Sequence, residues 1–365
     1  MKKRTVVVER PRVFLVPLPE QADVQGLIGA VEQLWVAMKL KAMIPKGGLV
    51  AIKQHFGERG GANVVPAPVT RAVGEQVKAA GGKPFATDSN TLYNGRRANA
   101  VDHLEQSREH GFSHETLGFP VIIADGLKGE AQVTIPMKEG NLKHVFLAGA
   151  GYMADAVVVL THVTGHLVAC MGASIKNVAM GMAGRAGKLQ QHHSAEPIFS
   201  KSKCTACGRC ARHCPTAAIT VEKYATLDVK RCIGCGECYA FCPHGAVSFE
   251  WSETSEALQK KMAEYCLAFH REKQGRVVYI NFITRITKNC DCLGKEEPAL
   301  PDLGVVASFD PVAADTAVVD LLTARHGHDV FKEFWPQYDA RIQLEHGERI
   351  GLGSMQYDLV TVGKG

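Results

Sequence analysis

The chain has 365 residues, enough for two or three domains, and 46% of them are hydrophobic, which suits a chain with a proper core. Its formal charge of +5 is mild, and no apolar run approaches the roughly 18–20 residues that cross a bilayer. The basic opening MKKRTVVVERPRVF lacks a signal-peptide core, so a cytoplasmic chain with no membrane span is expected. Residues 5–9 and 13–18 are predicted strands. Residues 23–42 are a predicted helix, with Leu27, Ile28, Val31, Leu34, Trp35 and Met38 recurring at three and four. Pro45 to Gly48 breaks it. A strand over 48–56 then ends in a polar, glycine-rich loop carrying His55 and Glu58. Such loops are where open α/β sheets place ligand sites.

A helix over 68–80, a strand over 84–88 ending at Asp88, and a helix near 98–110 follow. Strands are expected at 121–125, 131–136 and 144–151. The run Gly149 to Ala154 mimics a dinucleotide fingerprint but lacks the third glycine and the acidic partner. Residues 154–166 read as one buried strand running into His162 and His166. A Gly/Ala-rich stretch over 172–188 carries Lys176 and Asn177, and His192 and His193 come next. Beyond residue 251, a helix is expected from Ser252, as N-cap, to about Lys273. A strand over 276–284 leads to Asn289-Cys290-Asp291-Cys292. A strand over 304–308, a helix capped by Asp310 with Pro311 at its first position and Gly327 at its end, and a strand over 356–362 complete the chain.

Between these two halves lie eight of the chain's twelve cysteines. They read Cys204-x2-Cys207-x2-Cys210-x3-Cys214-Pro215, then Cys232-x2-Cys235-x2-Cys238-x3-Cys242-Pro243. This is the bacterial two-cluster ferredoxin spacing, and it predicts two [4Fe–4S] clusters held by thiolates. In that pattern the fourth cysteine of each run ligates the other cluster. One set is then Cys204, Cys207, Cys210 and Cys242, and the other Cys232, Cys235, Cys238 and Cys214. A zinc ribbon gives no reason for the doubled x3-Cys-Pro ending. Two clusters would bring the net charge to about +1. Lys201, Lys203, Arg209, Arg212, Lys223, Lys230 and Arg231 surround the segment and offset cluster charge. That reading is preferred to a nucleic-acid face. The stretches 218–222 and 246–250 are expected as paired short strands. The architecture expected is an α/β domain, residues 1–197 and 252–365, interrupted by a ferredoxin-like module at 198–251.

Two further constellations carry chemistry. Cys290 and Cys292 flank Asp291, a spacing too tight for one [4Fe–4S] site. They suit a redox pair or, with His193, a further metal. His55, Glu58, Asp88, His162, His166 and Lys176 all sit at strand ends or in the loops after them. In a parallel sheet these loops converge, so the six are the candidate catalytic residues. His162 and His166 could share a helical face or chelate from a loop. Cys170 and Cys266 read as ordinary core cysteines.

The motifs His55-Phe-Gly-Glu58, Thr87-Asp-Ser-Asn-Thr-Leu-Tyr93 with Asn94-Gly-Arg96, Thr161-His-Val-Thr-Gly-His166, Lys176-Asn-Val-Ala-Met-Gly181, Asn289-Cys-Asp-Cys292, Ser308-Phe-Asp-Pro-Val-Ala-Ala-Asp315 and Gly351-Leu-Gly353 span nearly the whole chain. With the ferredoxin run they resemble the iron–sulfur proteins of the family called "domain of unknown function 362". The resemblance implies an α/β domain carrying a ferredoxin insertion and no particular reaction. Where members have an aromatic-Lys-Gly-His pattern this chain has His162-Val-Thr-Gly-His166, so the lysine's role does not transfer. A more remote resemblance to the nickel-pincer lactate racemases carries over no residue.

The function expected is an iron–sulfur redox protein passing electrons between a partner protein and a small-molecule site in the α/β domain, with room for an added metal or organic cofactor. The alternative is a non-catalytic electron carrier or assembly and docking protein.

Overall fold

A computed structural model describes residues 9–363 apart from 62, 93–94, 193–196, 215, 233–235, 249–253 and 294–295. The strand expected at 5–9 lies, but for Glu9, outside the described residues, as do His193 and Cys235.

In chain order the main elements are β1 (Arg12–Pro17), α1 (Val24–Ala37), β2 (Leu49–Lys53), α2 (Ala67–Ala79), β3 (Lys83–Asp88), α3 (Ala100–Glu109), β4 (Val121–Ile123), β5 (Ala156–His162), α4 (Ser174–Gly181), α5 (Arg185–His192), α6 (Ser255–Glu272), β6 (Val277–Ile283), β7 (Gly304–Ser308), α7 (Pro311–His326), α8 (Arg341–Arg349) and β8 (Asp358–Thr361). Eight strands form one sheet in the order β8-β1-β7-β6-β5-β2-β3-β4. From β6 through β4 the neighbours run parallel, whereas β7 opposes both β6 and β1. Parallel strands covered on both faces need apolar side chains on both. β5 (AVVVLTH) and β6 (VVYINFI) meet that need and are buried throughout.

The sheet separates two cores. α1 and α2 cover Val50, Ile52, Val158, Leu160 and Val278 on one face. α4, α6, α7 and α8 cover Ala51, Val157, Val159, Tyr279 and Val306 on the other. The sheet draws strands from both sides of the cysteine-rich segment, since β5 pairs with β6 across it. Among the described residues, no helix is long and apolar enough to cross a membrane.

Several expected elements change at their ends. α1 stops at Ala37, because Lys39 turns left-handed (φ 55°) before a 3-10 turn at Leu40–Met43. The strand expected over 154–166 divides. β5 ends at His162, and Thr164–His166 leaves the sheet to pair antiparallel with Cys170–Gly172. Gly165 allows this: a Cβ there would meet the Lys288 carbonyl of the overlying loop. The strands at 132–136 and 144–148 form their own hairpin, and Gly149–Met153 is a short helix. α6 is capped by Thr254, whose hydroxyl accepts from Ala257 N at 3.2 Å. In the cysteine-rich segment, Ile219–Val221 pairs with Ala225–Leu227, and Val247–Ser248 with Ile198–Phe199. The expected pairing of 218–222 with 246–250 is not made, because each finds a partner elsewhere: 219–221 in a tight hairpin with the residues just after it, 247–248 with the first residues of the segment.

Candidate functional site

The carboxyl ends of β2, β3 and β5, with the loop that follows β6, open onto a cavity of about 340 Å³. Its wall includes His55, Asp88, His162, His166, Lys176, Cys290 and Cys292. Glu58 is not part of the wall but pairs with Arg97, whose Nε lies 3.2 Å from Glu58 Oε2. Thus residues far apart in sequence share one chamber because parallel strands end there together. Lys53, Arg97 and Lys188 also line it, although sequence reasoning passed over them.

Lys53 is the last residue of β2 and is buried. Its Nζ stands 2.6 Å from Asn177 Oδ1 and 3.2 Å from Asp88 Oδ1. Burial lowers the Lys53 pKa. Asp88, at the end of β3, would be raised by burial. Lys53 and then His55 outweigh that and hold its carboxyl well below the usual range. α4 crosses above this pair at Gly181. A Cβ there would overlap Lys53 Cε and Nζ. Gly181→Ala is therefore expected to expel Lys53 from Asp88 and cost about 1–3 kcal/mol as overpacking. Denaturant titration checks it, and an unchanged midpoint would refute the close approach.

Arg97 ties the opposite wall together. Besides Glu58, it donates to Asp88 Oδ2 at 3.4 Å and to Cys292 Sγ at 3.5 Å. His55 Nδ1 accepts from Gly57 N at 2.9 Å, which leaves the proton on Nε2, 3.4 Å from Cys292 Sγ. The Cys290 thiol, burial being outweighed, and then His55 and Arg97 hold the Cys292 pKa well below that of a free thiol. Cys290, hydrogen-bonded to Cys292 and buried, is raised well above it.

The two histidines of the 162–166 stretch meet different partners. His162 Nδ1 lies 2.9 Å from Asp291 Oδ1, and Nε2 lies 3.0 Å from the Thr284 carbonyl. Both nitrogens face acceptors, an arrangement that favours the protonated ring. Burial alone would depress its pKa, but Asp291 and the two nearby carbonyls raise it. A raised folded pKa contributes stability that is complete below the unfolded value and lost as pH rises through the folded one. His162→Gln is accordingly expected to flatten the decline in stability above pH ~6.5, read from denaturant midpoints across pH. His166 is the neutral one. Its Nδ1 accepts from Val168 N and Ala169 N at 3.1 and 2.9 Å, and burial, then Lys176, hold it uncharged.

Lys176 has no hydrogen bond or ion pair within the described residues. Burial lowers its pKa, but the Cys290 and Cys292 sulfurs and Asp291 raise it further, so it is a cation facing the cavity. Lys188 donates to Ser89 Oγ at 2.7 Å and lies 3.7 Å from Asp125. Burial pulls Lys188 down to about 8 and pushes Asp125 up to about 6. Leu167, Val168, Leu258 and Met262 close the chamber with an apolar wall.

The cysteine-rich segment packs beside this chamber. Cys204, Cys207, Cys210 and Cys242 line a small cavity of about 20 Å³. Backbone N–H groups point at sulfurs: Ala225 N to Cys204 (3.3 Å), Ala218 N to Cys214 (3.1 Å) and Ala246 N to Cys242 (3.3 Å). Donor type, shared cavity and N–H···S bonds suit an iron–sulfur cluster. Among the described residues, no three His, Cys, Asp or Glu side chains already stand in a metal-binding arrangement. Gly236, between Cys235 and Cys238, abuts Leu189 of α5, where any Cβ would collide with the leucine. The neighbouring Lys188 and His192 of the same helix line the large cavity.

No curated protein matches the chain in sequence. A crystal structure of a Thermotoga maritima protein aligns with TM-score 0.42 and 9% identity over 91% of this chain and 61% of that one. The lactate racemase apoprotein of Thermoanaerobacterium thermosaccharolyticum aligns with TM-score 0.35 and 13% identity, over 72% of this chain and 58% of that one. The chain thus spans less than two thirds of either. Its sequence matches the family described as Domain of unknown function (DUF362) over residues 50–320, well over half its length, and the chain belongs to that family.

Proposed function

We propose that the chain is an iron–sulfur oxidoreductase acting on a small molecule in the large cavity. Cys204, Cys207, Cys210 and Cys242 would hold one [4Fe–4S] cluster, and Cys232, Cys235, Cys238 and Cys214 the other. Bound clusters supply one-electron transfer at low potential. The observation that supports an enzyme over a plain carrier is the position of α5. Leu189 touches the cysteine-rich loop at Gly236, while Lys188 and His192 face the cavity.

The chain's own groups suit a reduction. Lys176 attracts the negative end of a ligand. The Leu167, Val168, Leu258 and Met262 wall excludes water and strengthens that attraction. His166 presents an Nε2–H, and Lys188, with a pKa near 8, gives up or takes a proton close to neutrality.

Anaerobic purification tests the proposal. About eight irons and eight sulfides per chain are expected, with a paramagnetic signal on reduction. Fewer than about four irons after careful reconstitution would sink it. Lys176→Gln should leave the iron count intact and weaken ligand binding about tenfold or more, the loss of one charge-assisted contact.

A further inference from the structure

We propose that Cys290 and Cys292 form a dithiol–disulfide couple, the two-electron acceptor inside the cavity. The inference rests on the iron–sulfur reading above. One-electron donors and a small molecule reduced by two electrons need a store between them, and this pair is built as one.

Both sulfurs line the cavity, and the Cys290 thiol donates to the Cys292 sulfur. One residue separates them, and a 3-10 turn at Asp291–Leu293 carries Cys292 just after Cys290. The residue between them is clamped: both Asp291 oxygens lie on His162 Nδ1, at 2.9 and 3.1 Å. Asp291 and His162 line the chamber beside the two cysteines, so this pair fixes the backbone between the sulfurs. Cys292 also receives His55 Nε2 at 3.4 Å and Arg97 Nη2 at 3.5 Å. Two donors on one sulfur favour the thiolate, the form that attacks and leaves in thiol–disulfide exchange. A bridge between cysteines separated by one residue is strained, and strained disulfides are the readily reduced, catalytic ones. Cys170 and Cys266 provide the contrast: both are fully buried in the core, outside the cavity wall.

The step balances simply. In the oxidised form one S–S bond joins Cys290 and Cys292. Two electrons, arriving singly from a low-potential iron–sulfur donor, break it. Cys292 leaves as thiolate and Cys290 takes one proton. On the return, the pair gives two electrons and that proton to an oxidised ligand, which takes a second proton from water, and the S–S bond reforms.

The test uses the full chain, purified anaerobically and equilibrated in glutathione redox buffers of stepped potential. Acid quenching, alkylation and mass spectrometry of the peptide spanning both cysteines then count free thiols. The expected result is a switch between two labels and none, with a two-electron slope, and recovery of both labels when dithionite is added. Cys292→Ser should leave Cys290 singly labelled in every buffer. Two labels in all buffers overturn the inference. So does protection from alkylation by a stoichiometric metal that a chelator removes. About eight irons with no couple defeats this inference alone. A working couple without iron defeats only the iron–sulfur reading.

Discussion

Asp315→Ala is expected to lower the free energy of unfolding by about 3 kcal/mol and to loosen the start of α4. Asp315 sits on α7 and is completely buried. Its carboxylate accepts from Ser174 N at 2.9 Å, Ile175 N at 2.8 Å and Asn281 Nδ2 at 2.8 Å. The first two are end groups of α4 with no partner inside the helix. Removing the acceptor strands three buried donors, each worth about 1–3 kcal/mol, and water entering the gap recovers part. Asp315→Asn keeps one acceptor oxygen but turns an NH2 toward N–H groups, so roughly half the loss is expected. The effect reaches the cavity, because α4 carries Lys176 and Asn177, and Asn177 Oδ1 holds Lys53. Urea titration should show a lower midpoint with an unchanged slope. A loss below about 1 kcal/mol would mean that packing, not this carboxylate, anchors the helix.

The second large effect is expected on iron removal. The core of the cysteine-rich segment consists of Cys210, Ile219, Ala225, Cys238 and Val247. Among the described residues its buried aliphatic groups of size are Ile219 and Val247, worth about 1.5–3 kcal/mol each, with Phe199, Val221, Leu227 and Tyr239 partly buried against them. That is far short of the conformational entropy of ordering the segment, at ~1–2 kcal/mol per residue. The two cysteines in this core are also proposed ligands, so on that proposal metal binding and folding would be one event. Chelation should therefore unfold residues 198–248 while the large sheet persists. Amide exchange reads this directly. Fast exchange is expected at Ile219 and Val247, with protection retained in β5 and β6. Retained protection in the segment after chelation would refute a cluster-dependent fold.

Much of this was legible in the sequence, for identifiable reasons. Apolar runs such as VVYINFI announce strands covered on both faces, and Asp310-Pro311 announces a helix start. His55, Asp88 and Lys176 stand out because polar groups at strand ends beside glycines have few structural uses. Lys53, Arg97 and Lys188 gave no such signal. Lys53 merely interrupts an apolar strand, and its partner Asn177 lies 124 positions away. Arg97 lies in an ordinary polar loop, yet it joins Glu58, Asp88 and Cys292. The unequal roles of His162 and His166 depend on which carbonyls and N–H groups each ring meets, and spacing does not encode that. Short strands mislead for a related reason, since two or three residues carry too little pattern to name a partner.

The pairing of Ile198–Phe199 with Val247–Ser248 has a consequence for how the chain reaches its native state. β5 and β6 are neighbours, yet more than a hundred residues separate His162 from Val277. Bringing such distant strands together is the slow part of folding a sheet. Once Phe199 and Val247 are joined, the residues between them no longer count in the loop to be closed. The closure penalty falls by about 0.5 kcal/mol, a roughly twofold gain in the rate of that pairing. Early collapse of the segment would thus hasten completion of the sheet, and refolding with iron present would outpace refolding without it.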